Sequence, residues 1–318
     1  MTETMRAVRQ HSYGAPEVLR LEENVPRPEP MWTEVLVRVH AAGVNPVDCK
    51  TRDGGGISPS QGPLPITIGW DVSGTVVEIG GGVTRFAVGD EVYGMINFPR
   101  IGGGYAEYVT VDSRQLSPKP ESLTHVEAAG VPLVSLTAWQ SLVSVGNTGP
   151  GTRVLVHGAA GGLGHLAVQI ARARGAYVCG TASTDQVELV RSLGADEVFD
   201  YTKVRFEEHA HDIDVVVDTV AGENGLRSLK TMRTGGVLVS LPVPPDEATA
   251  AEAARLGLRA VSLTVEGDRK DLEDITALIN AGALKPIIGN VLPLERADKA
   301  HELIETGQAK GKVVLQVI

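Results

Sequence analysis

Arg153-Val154-Leu155-Val156-His157-Gly158-Ala159-Ala160-Gly161-Gly162-Leu163-Gly164 decides the fold. An apolar run of strand character feeds a glycine-rich turn, and the turn opens into a segment of helical periodicity. From Leu163 to Arg174, apolar Leu163, Leu166, Ala167, Ile170 and Ala171 recur on one face. A second apolar run, Ala176 to Gly180, follows where a strand–helix–strand unit needs it. In such a unit Gly161 admits close approach of a pyrophosphate to the backbone, and Gly164 lets the helix pack tightly on its strand. The helix N-terminus adds free N–H groups and about half a positive charge. The usual first glycine is Ala159, so the turn reads A-x-G-G-x-G. A turn whose glycines are purely steric is the alternative. The strand before and the helix after favour a dinucleotide site built from Ala159, Ala160, Gly161, Gly162, Leu163 and Gly164.

Outward from this turn the chain shows two regimes. Before about Ser122, short strands alternate with glycine turns. Val35, Val37 and Val39 alternate with polar neighbours, and Thr75 to Ile79, Glu91 to Gly94 and Ala106 to Val111 read similarly. Gly80-Gly81-Gly82 and Gly102-Gly103-Gly104 mark tight turns. Beyond Leu123, strands at Val154–His157, Tyr177–Gly180, Val198–Phe199, Val215–Asp218, Val237–Ser240 and Val261–Val265 alternate with helices such as Gln186 to Leu193 and Gly225 to Met232. The triplet Val215-Val216-Val217 suits a strand buried on both faces of a parallel sheet. The tail changes again, to helices at about Leu272 to Ala281 and Ala297 to Glu305 and a strand at Val313 to Val317. The predicted class is α/β, a doubly wound parallel sheet beside a β-rich unit.

The 318 residues suit about two domains. Aromatic content is 4%, so the core must rest on Val, Leu, Ile and Ala. A net charge of −10 argues against a broad nucleic-acid surface. No apolar run approaches the roughly 20 residues of a membrane span, and Met1-Thr2-Glu3-Thr4-Met5-Arg6 has no signal-peptide core. The expected location is cytoplasmic. Cys49 and Cys179 cannot build a disulfide framework or a four-thiolate zinc site. Cys179 reads as a core residue and Cys49 as a loop residue. Glu207-Glu208 with Asp212 reads as a solvated face.

Ordered markers run along the whole chain: Ala42-Gly43-Val44-Asn45-Pro46-Val47-Asp48, Gly69-Trp70-Asp71-Val72-Ser73-Gly74, Phe86-Ala87-Val88-Gly89-Asp90-Glu91-Val92, Gly104-Tyr105-Ala106-Glu107-Tyr108 and Gly311-Lys312-Val313-Val314-Leu315. With these the chain resembles the medium-chain dehydrogenase/reductase superfamily, in its zinc-free quinone oxidoreductase branch, which includes zeta-crystallin and the plant enone reductases. The resemblance implies a Rossmann domain inserted into a β-rich GroES-like catalytic domain, with boundaries at 1–122, 123–266 and 267–318. Zinc relatives carry a cysteine where this chain has Asn45, a histidine where it has Trp70, and a third ligand near Ser135. None of the three is an ordinary zinc ligand, and no metal site is expected.

Without a metal to stabilise an alkoxide, reduction of a conjugated carbonyl is easier than oxidation of an alcohol. The protein then needs hydrogen-bond donors at the developing enolate and a proton source. The resemblance places these near Asn45. Lys50 stands where zeta-crystallin-like members carry tyrosine and plant enone reductases carry lysine. It is a candidate to hold the ribose hydroxyls, polarise the carbonyl or deliver a proton; an exposed loop lysine is the alternative. Asp48 pairs with Lys50 or caps the local turn, and Tyr105 either nears the site or only packs.

NAD enzymes place an acid about 20 residues past the glycine motif to bind the ribose 2′-hydroxyl. Here the stretch is Gly180-Thr181-Ala182-Ser183-Thr184, with no acid before Asp185. Ser183 and Thr184 leave room for a 2′-phosphate, and Tyr201 aligns with a tyrosine that binds it in similar reductases. The basic clamp is weak, since Val187 replaces a lysine of a related bacterial enzyme, and Lys203 reads as surface. NADP(H) is the expected cofactor, with Thr137 added by the resemblance. The expected function is NADPH-dependent reduction of a small electrophile, a quinone or an enone. An NADPH-binding structural or regulatory protein is the alternative from a different class. A tailoring reductase for one natural product, its pocket shaped by Pro242 to Leu256, is another. Relatives commonly pair Rossmann edge strands, so a homodimer along Val261-Ser262-Leu263-Thr264-Val265 is expected.

Overall fold

The computed structural model describes residues 3–241 and 243–318, in two compact units. The first holds the chain up to Leu133 together with Gly267–Thr276 and Pro286–Ile318, and the second holds Val134–Glu266 with Ala277–Lys285. The chain thus changes unit after Leu133 and again after Glu266, and Ala277–Lys285 returns to the second unit.

The first unit begins with a hairpin, β1 (Thr4–Gln10) against β2 (Leu19–Pro26). Then come β3 (Glu34–Val44), helix α1 (Pro46–Arg52), β4 (Asp71–Ile79), β5 (Glu91–Met95), β6 (Tyr108–Asp112), β7 (Ser117–Pro118) and helix α2 (His125–Ala129). Val35, Val37 and Val39 are fully buried, as their alternation requires. Ala106, expected in a strand, makes only an isolated bridge to Ala7. Helix α1 corrects the loop reading of Cys49 and Lys50. Asn45 at the N-cap, Pro46 at the first helical position and Asp48 at the third are the residues that start a helix. Cys49 is buried on it, and burial pushes its thiol far up, which makes it inert.

Helix α3 (Pro132–Trp139) carries the chain into the second unit and runs into a wider π-helical turn at Gln140–Val145. Its strands are β8 (Arg153–Val156), β9 (Tyr177–Ala182), β10 (Glu197–Asp200), β11 (Ile213–Asp218), β12 (Met232–Ser240) and β13 (Arg259–Ser262). They form a parallel sheet in the order β10-β9-β8-β11-β12-β13. Helices α4 (Gly164–Ala173), α5 (Val187–Ser192), α6 (Asn224–Leu229) and α7 (Glu247–Arg255) connect them. Every residue of β11 is buried. Leu166, Ala167, Ile170 and Ala171 are fully buried on α4, and each of the two larger side chains contributes about 1.5–3 kcal/mol.

Several boundaries differ from the sequence reading, two of them by enough to matter. Helix α6 stops at Leu229, because the Thr231 N–H and hydroxyl both return to the Ser228 carbonyl, and Met232 already begins β12. β13 ends at Ser262 rather than Val265, and it is an edge strand. Pro242 lies outside the described residues, and the alanine-rich stretch beyond it is α7. Glu207 is not a solvated residue. Its side chain is 4% exposed and accepts from Arg227 at 2.7 and 2.9 Å and from Arg205. Arg227, which stacks over Phe206, holds the Glu207 carboxyl down at about 2.

The chain then forms α8 (Arg269–Asn280), β14 (Ile288–Pro293), α9 (Ala297–Glu305) and β15 (Lys312–Gln316). β15 pairs antiparallel with β3 and parallel with β14. The sheet of the first unit is thereby seven-stranded, with β14-β15-β3-β4-β5-β7 in line and β6 on β3. Both ends of the sequence contribute to one sheet, and Lys312 is brought beside the start of α1.

Candidate functional site

Strand order in the second unit reverses at β8. The chain goes from β8 outward to β9 and β10, then returns to β11 on the other side. A crevice at the carboxyl ends of the strands is expected at such a reversal, and it is where open α/β sheets bind ligands. The glycine turn leaves β8 there. Gly158 adopts φ +62°, and a Cβ on it would meet the Thr219 hydroxyl at 2.6 Å. A Cβ on Gly164 would lie 2.1 Å from the Gly158 carbonyl oxygen and 2.8 Å from the Ala159 Cα. Gly161 is exposed. Ala159 is buried, and Ala160, Gly162 and Leu163 are partly so. The helix begins at Gly164, with Leu163 at the N-cap position.

The turn is pinned from both sides. Ala159 N–H donates to the Thr181 carbonyl (3.0 Å), and Gly158 N–H to the Thr181 hydroxyl (3.2 Å). The Thr219 hydroxyl donates to the His157 carbonyl (2.7 Å). The fully buried His157 ring bonds Thr181 Oγ1 at 3.2 Å and Ser228 Oγ at 2.8 Å. Burial pushes the imidazole down to about 4, so it is neutral at pH 7. His165 Nδ1 bonds the Gly161 carbonyl at 2.9 Å. Neither histidine was singled out in the sequence, although His157 adjoins the motif. The turn is a rigid backbone cradle whose residues fit a bound pyrophosphate.

At the carboxyl ends of β9 and β10 the expected ribose contacts are close together. Tyr201 N–H donates to the Ala182 carbonyl (3.1 Å), and its ring is 58% exposed. The two hydroxyls expected beside a 2′-phosphate already have acceptors. Ser183 donates to Asp185 and Thr184 to Asp200, each at 2.6 Å. Asp200 also accepts from the Thr202 hydroxyl (2.6 Å) and pairs with Lys203 at 3.1 Å. The Thr184 and Thr202 hydroxyls hold its carboxyl well below the usual range. Asp200 was missed because it ends the third strand, whereas the sequence rule looks at the second. Thr137 is buried on α3.

The first unit holds a separate, fully buried polar cluster. Asn45 Nδ2 donates to Asp71 Oδ2 at 2.9 Å, and its Oδ1 accepts from Lys312 Nζ. Lys312 Nζ also donates to the Val44 carbonyl (3.1 Å). The second oxygen of Asp71 accepts from Leu133 N–H (2.8 Å). Asp48 Oδ2 accepts from Asn45 N–H (2.6 Å), which caps α1. Burial raises Asp71 to about 6 and Asp48 well above the carboxylate range, and lowers Lys312. Lys312 opposes the shift at Asp71. Two carboxyls and one ammonium are neutral together when one carboxyl keeps its proton. Asp48 is the better holder, since burial raises it further and both oxygens of Asp71 accept hydrogen bonds.

Both ends of the Asn45 amide are thus in use, and Lys50 is exposed on the helix that Asn45 starts. Tyr105 is fully buried, its ring against Gly69, its hydroxyl 3.2 Å from His301 Nε2 and beside the Asp48 carboxyl of the cluster. Trp70 is a core residue whose indole N–H donates to the Arg100 carbonyl (2.7 Å), and Ser135 is buried. Among the described residues no group of three or more His, Cys, Asp or Glu could hold a metal ion. No helix among them is long and apolar enough to cross a membrane.

The Alcohol dehydrogenase GroES-like domain family matches residues 32–121, and the Zinc-binding dehydrogenase family matches residues 193–315. The quinone oxidoreductase of Rattus norvegicus is 36% identical over 98% of this chain and 97% of its own. The 2-methylene-furan-3-one reductase of Solanum lycopersicum is 37% identical over 99% of this chain and 79% of its own. The solved quinone oxidoreductase of Escherichia coli complexed with NADPH superposes with a TM-score of 0.87 at 26% identity, covering 98% of this chain and all of that one. With both folds, their order in the chain and full-length relatives in agreement, the chain belongs to the medium-chain dehydrogenase/reductase superfamily, among its quinone oxidoreductases and enone reductases.

Proposed function

We propose that this chain is an NAD(P)H-dependent oxidoreductase that reduces quinones or α,β-unsaturated carbonyls, with NADPH preferred. The observation that carries the reading is the glycine turn at the reversal of strand order. There Gly164 has no space for a Cβ, in a chain whose relatives are named quinone oxidoreductase and 2-methylene-furan-3-one reductase. Ala159 to Gly164 would hold the pyrophosphate, Ser183, Thr184 and Tyr201 the adenosine ribose end, and Thr137 a further part of the cofactor. A bound reduced nicotinamide supplies a hydride for the β-carbon of a conjugated carbonyl. Lys50 holds the ribose or assists protonation of the enolate, and Asn45 fixes the helix that carries Lys50. Support for the NADPH preference is the exposed Tyr201 ring beside Ala182, and the lack of an acid at positions 182–184. We place the protein in the cytoplasm as a homodimer paired along β13, an edge strand with a half-buried, partly apolar run.

The test is NADPH oxidation with a panel of quinones and enones, beside NADP+ reduction with simple alcohols. Turnover of an electrophile is expected, with deuterium from labelled NADPH at the β-carbon of an enone product. Steady alcohol oxidation with no enone or quinone turnover would overturn the reaction class. Tight NADPH binding with no turnover on any electrophile would leave the binding-protein reading in its place.

A further inference from the structure

We propose that Asp200 sets the selectivity of this chain between 2′-phosphorylated and 2′-hydroxyl nicotinamide dinucleotides, by reserving Thr184 and Lys203. The proposal rests on the cofactor reading above. The adenosine ribose of a dinucleotide lies past the carboxyl end of the second strand, which here is β9, and Thr184 follows it directly. Asp200 ends the neighbouring β10 and reaches Thr184 Oγ1 at 2.6 Å. Its side chain is 13% exposed, whereas that of Lys203 is 63% exposed and held at 3.1 Å from it. The Thr202 N–H and hydroxyl complete the set, at 3.0 and 2.6 Å. Four groups thus converge on one carboxylate, so Asp200 is fixed and Lys203 is the movable member.

The charges give the direction. Asp185, Asp200 and Lys203 sum to −1 around the Ser183 and Thr184 hydroxyls. Asp200 therefore tempers, without reversing, the preference for a 2′-phosphate that the exposed Tyr201 ring supports, and Lys203 is engaged elsewhere. The same Thr184, Asp200 and Lys203 line a cavity of about 640 Å³ together with Arg191 and His209, so Lys203 has space to swing away from Asp200. Asp200→Asn keeps an oxygen for the Thr202 N–H and removes the charge. It frees Lys203 to serve as the basic clamp that Val187 does not provide.

The experiment is titration of the purified protein with NADPH, NADH, adenosine 2′,5′-bisphosphate and 5′-AMP, followed by calorimetry. Asp200→Asn should raise the NADPH-to-NADH affinity ratio about three- to tenfold, the effect of one partly screened charge at contact range. The fragment pair should shift by the same factor, with the nicotinamide absent. Lys203→Met added to Asp200→Asn should remove most of that gain, whereas Lys203→Met alone should change the ratio less, because the lysine is already held by Asp200. An Asp200→Asn protein with an unchanged or lower ratio overturns the proposal. If that variant does not fold, Asp200→Ser, a smaller neutral replacement, decides in its place: a raised ratio supports the proposal and an unchanged one overturns it. Wild-type protein that binds neither NADPH nor NADH would instead remove the cofactor reading itself.

Discussion

Gly164→Ala is the most direct perturbation of the nucleotide turn. The added Cβ would sit 2.1 Å from the Gly158 carbonyl oxygen, where even a tight Cβ contact stays beyond 3.0 Å. The turn or the helix must therefore yield by 0.9 Å, the difference between those distances. Both obstructing atoms are backbone, and neither partner is free to move. Gly158 is held by Thr181, and Ala159 by the Thr181 carbonyl. Overpacking of this kind costs about 1–3 kcal/mol, against which alanine returns about 1 kcal/mol of helix propensity. A net loss of up to roughly 2 kcal/mol is expected in chemical denaturation. The larger effect falls on binding, since the displaced backbone is the cradle itself. NADPH affinity should drop more than about tenfold, the equivalent of some 1.4 kcal/mol. Gly149→Ala is the control. Nothing lies within 4 Å of its Cβ position, and that change should leave stability and affinity near wild type. A Gly164→Ala protein as stable as wild type, with the same NADPH affinity, would refute the steric argument.

Four further outcomes follow from the geometry. Lys312→Met should cost about 3–5 kcal/mol, because it strips a buried ammonium from Asp71 and Asn45; Asp71→Asn in the same chain should recover part of the loss, and additive effects in denaturation would deny the coupling. Lys50→Ala should lower kcat if the amine assists protonation, a role worth about 10²–10⁴-fold, or weaken NADPH binding if it only holds the ribose; kinetics unchanged in both would leave a bland surface lysine. His157 titrates at about 4 in the folded chain against an ordinary 6.5, so the unfolded chain takes up the proton first. Stability should therefore fall as pH drops from about 6.5 to about 4, and the fall should be shallower in His157→Gln; parallel pH curves for the two proteins would remove the assignment. Elemental analysis should find no stoichiometric zinc, the motive being Asn45, Trp70 and Ser135 at the three ligand positions, and one tightly bound zinc per chain would contradict this.

The nucleotide half of the molecule was legible because its signals are local. A strand, a glycine turn and a helix occupy consecutive residues, and the steric demand at Gly164 is met by atoms only five or six positions away. Boundaries slipped where a side-chain hydrogen bond or the limit of strand pairing decides them. Helix α6 ends where Thr231 finds Ser228, and β13 ends at the sheet edge. Glu207 read as solvated because its partner Arg227 is 20 residues distant. The catalytic half was legible only as a string of motifs. Asn45, Asp71 and Lys312 lie far apart in sequence, and no spacing rule relates them. A lysine in the strand run Lys312-Val313-Val314-Leu315 was the available signal, since a charge in a buried strand must find a partner.

That lysine has a wider consequence for the reading of the first unit. Positions 45 and 70, which carry ligands in zinc relatives, hold an amide and a core indole here. A buried cation is nevertheless present beside them. Lys312 Nζ is held by the Val44 carbonyl and Asn45 Oδ1, with Asp71 as counter-charge across the Asn45 amide. An ammonium so enclosed is fixed by directed hydrogen bonds. It joins the last strand of the chain to the turn that starts α1, a structural task that a bound cation also performs. It offers no open coordination position to a substrate oxygen. Lys50 stands apart from it, exposed on α1 beyond the Asn45 cap. Asn45, Asp48, Asp71 and Lys312 fix where α1 begins, and the position of Lys50 follows from that origin.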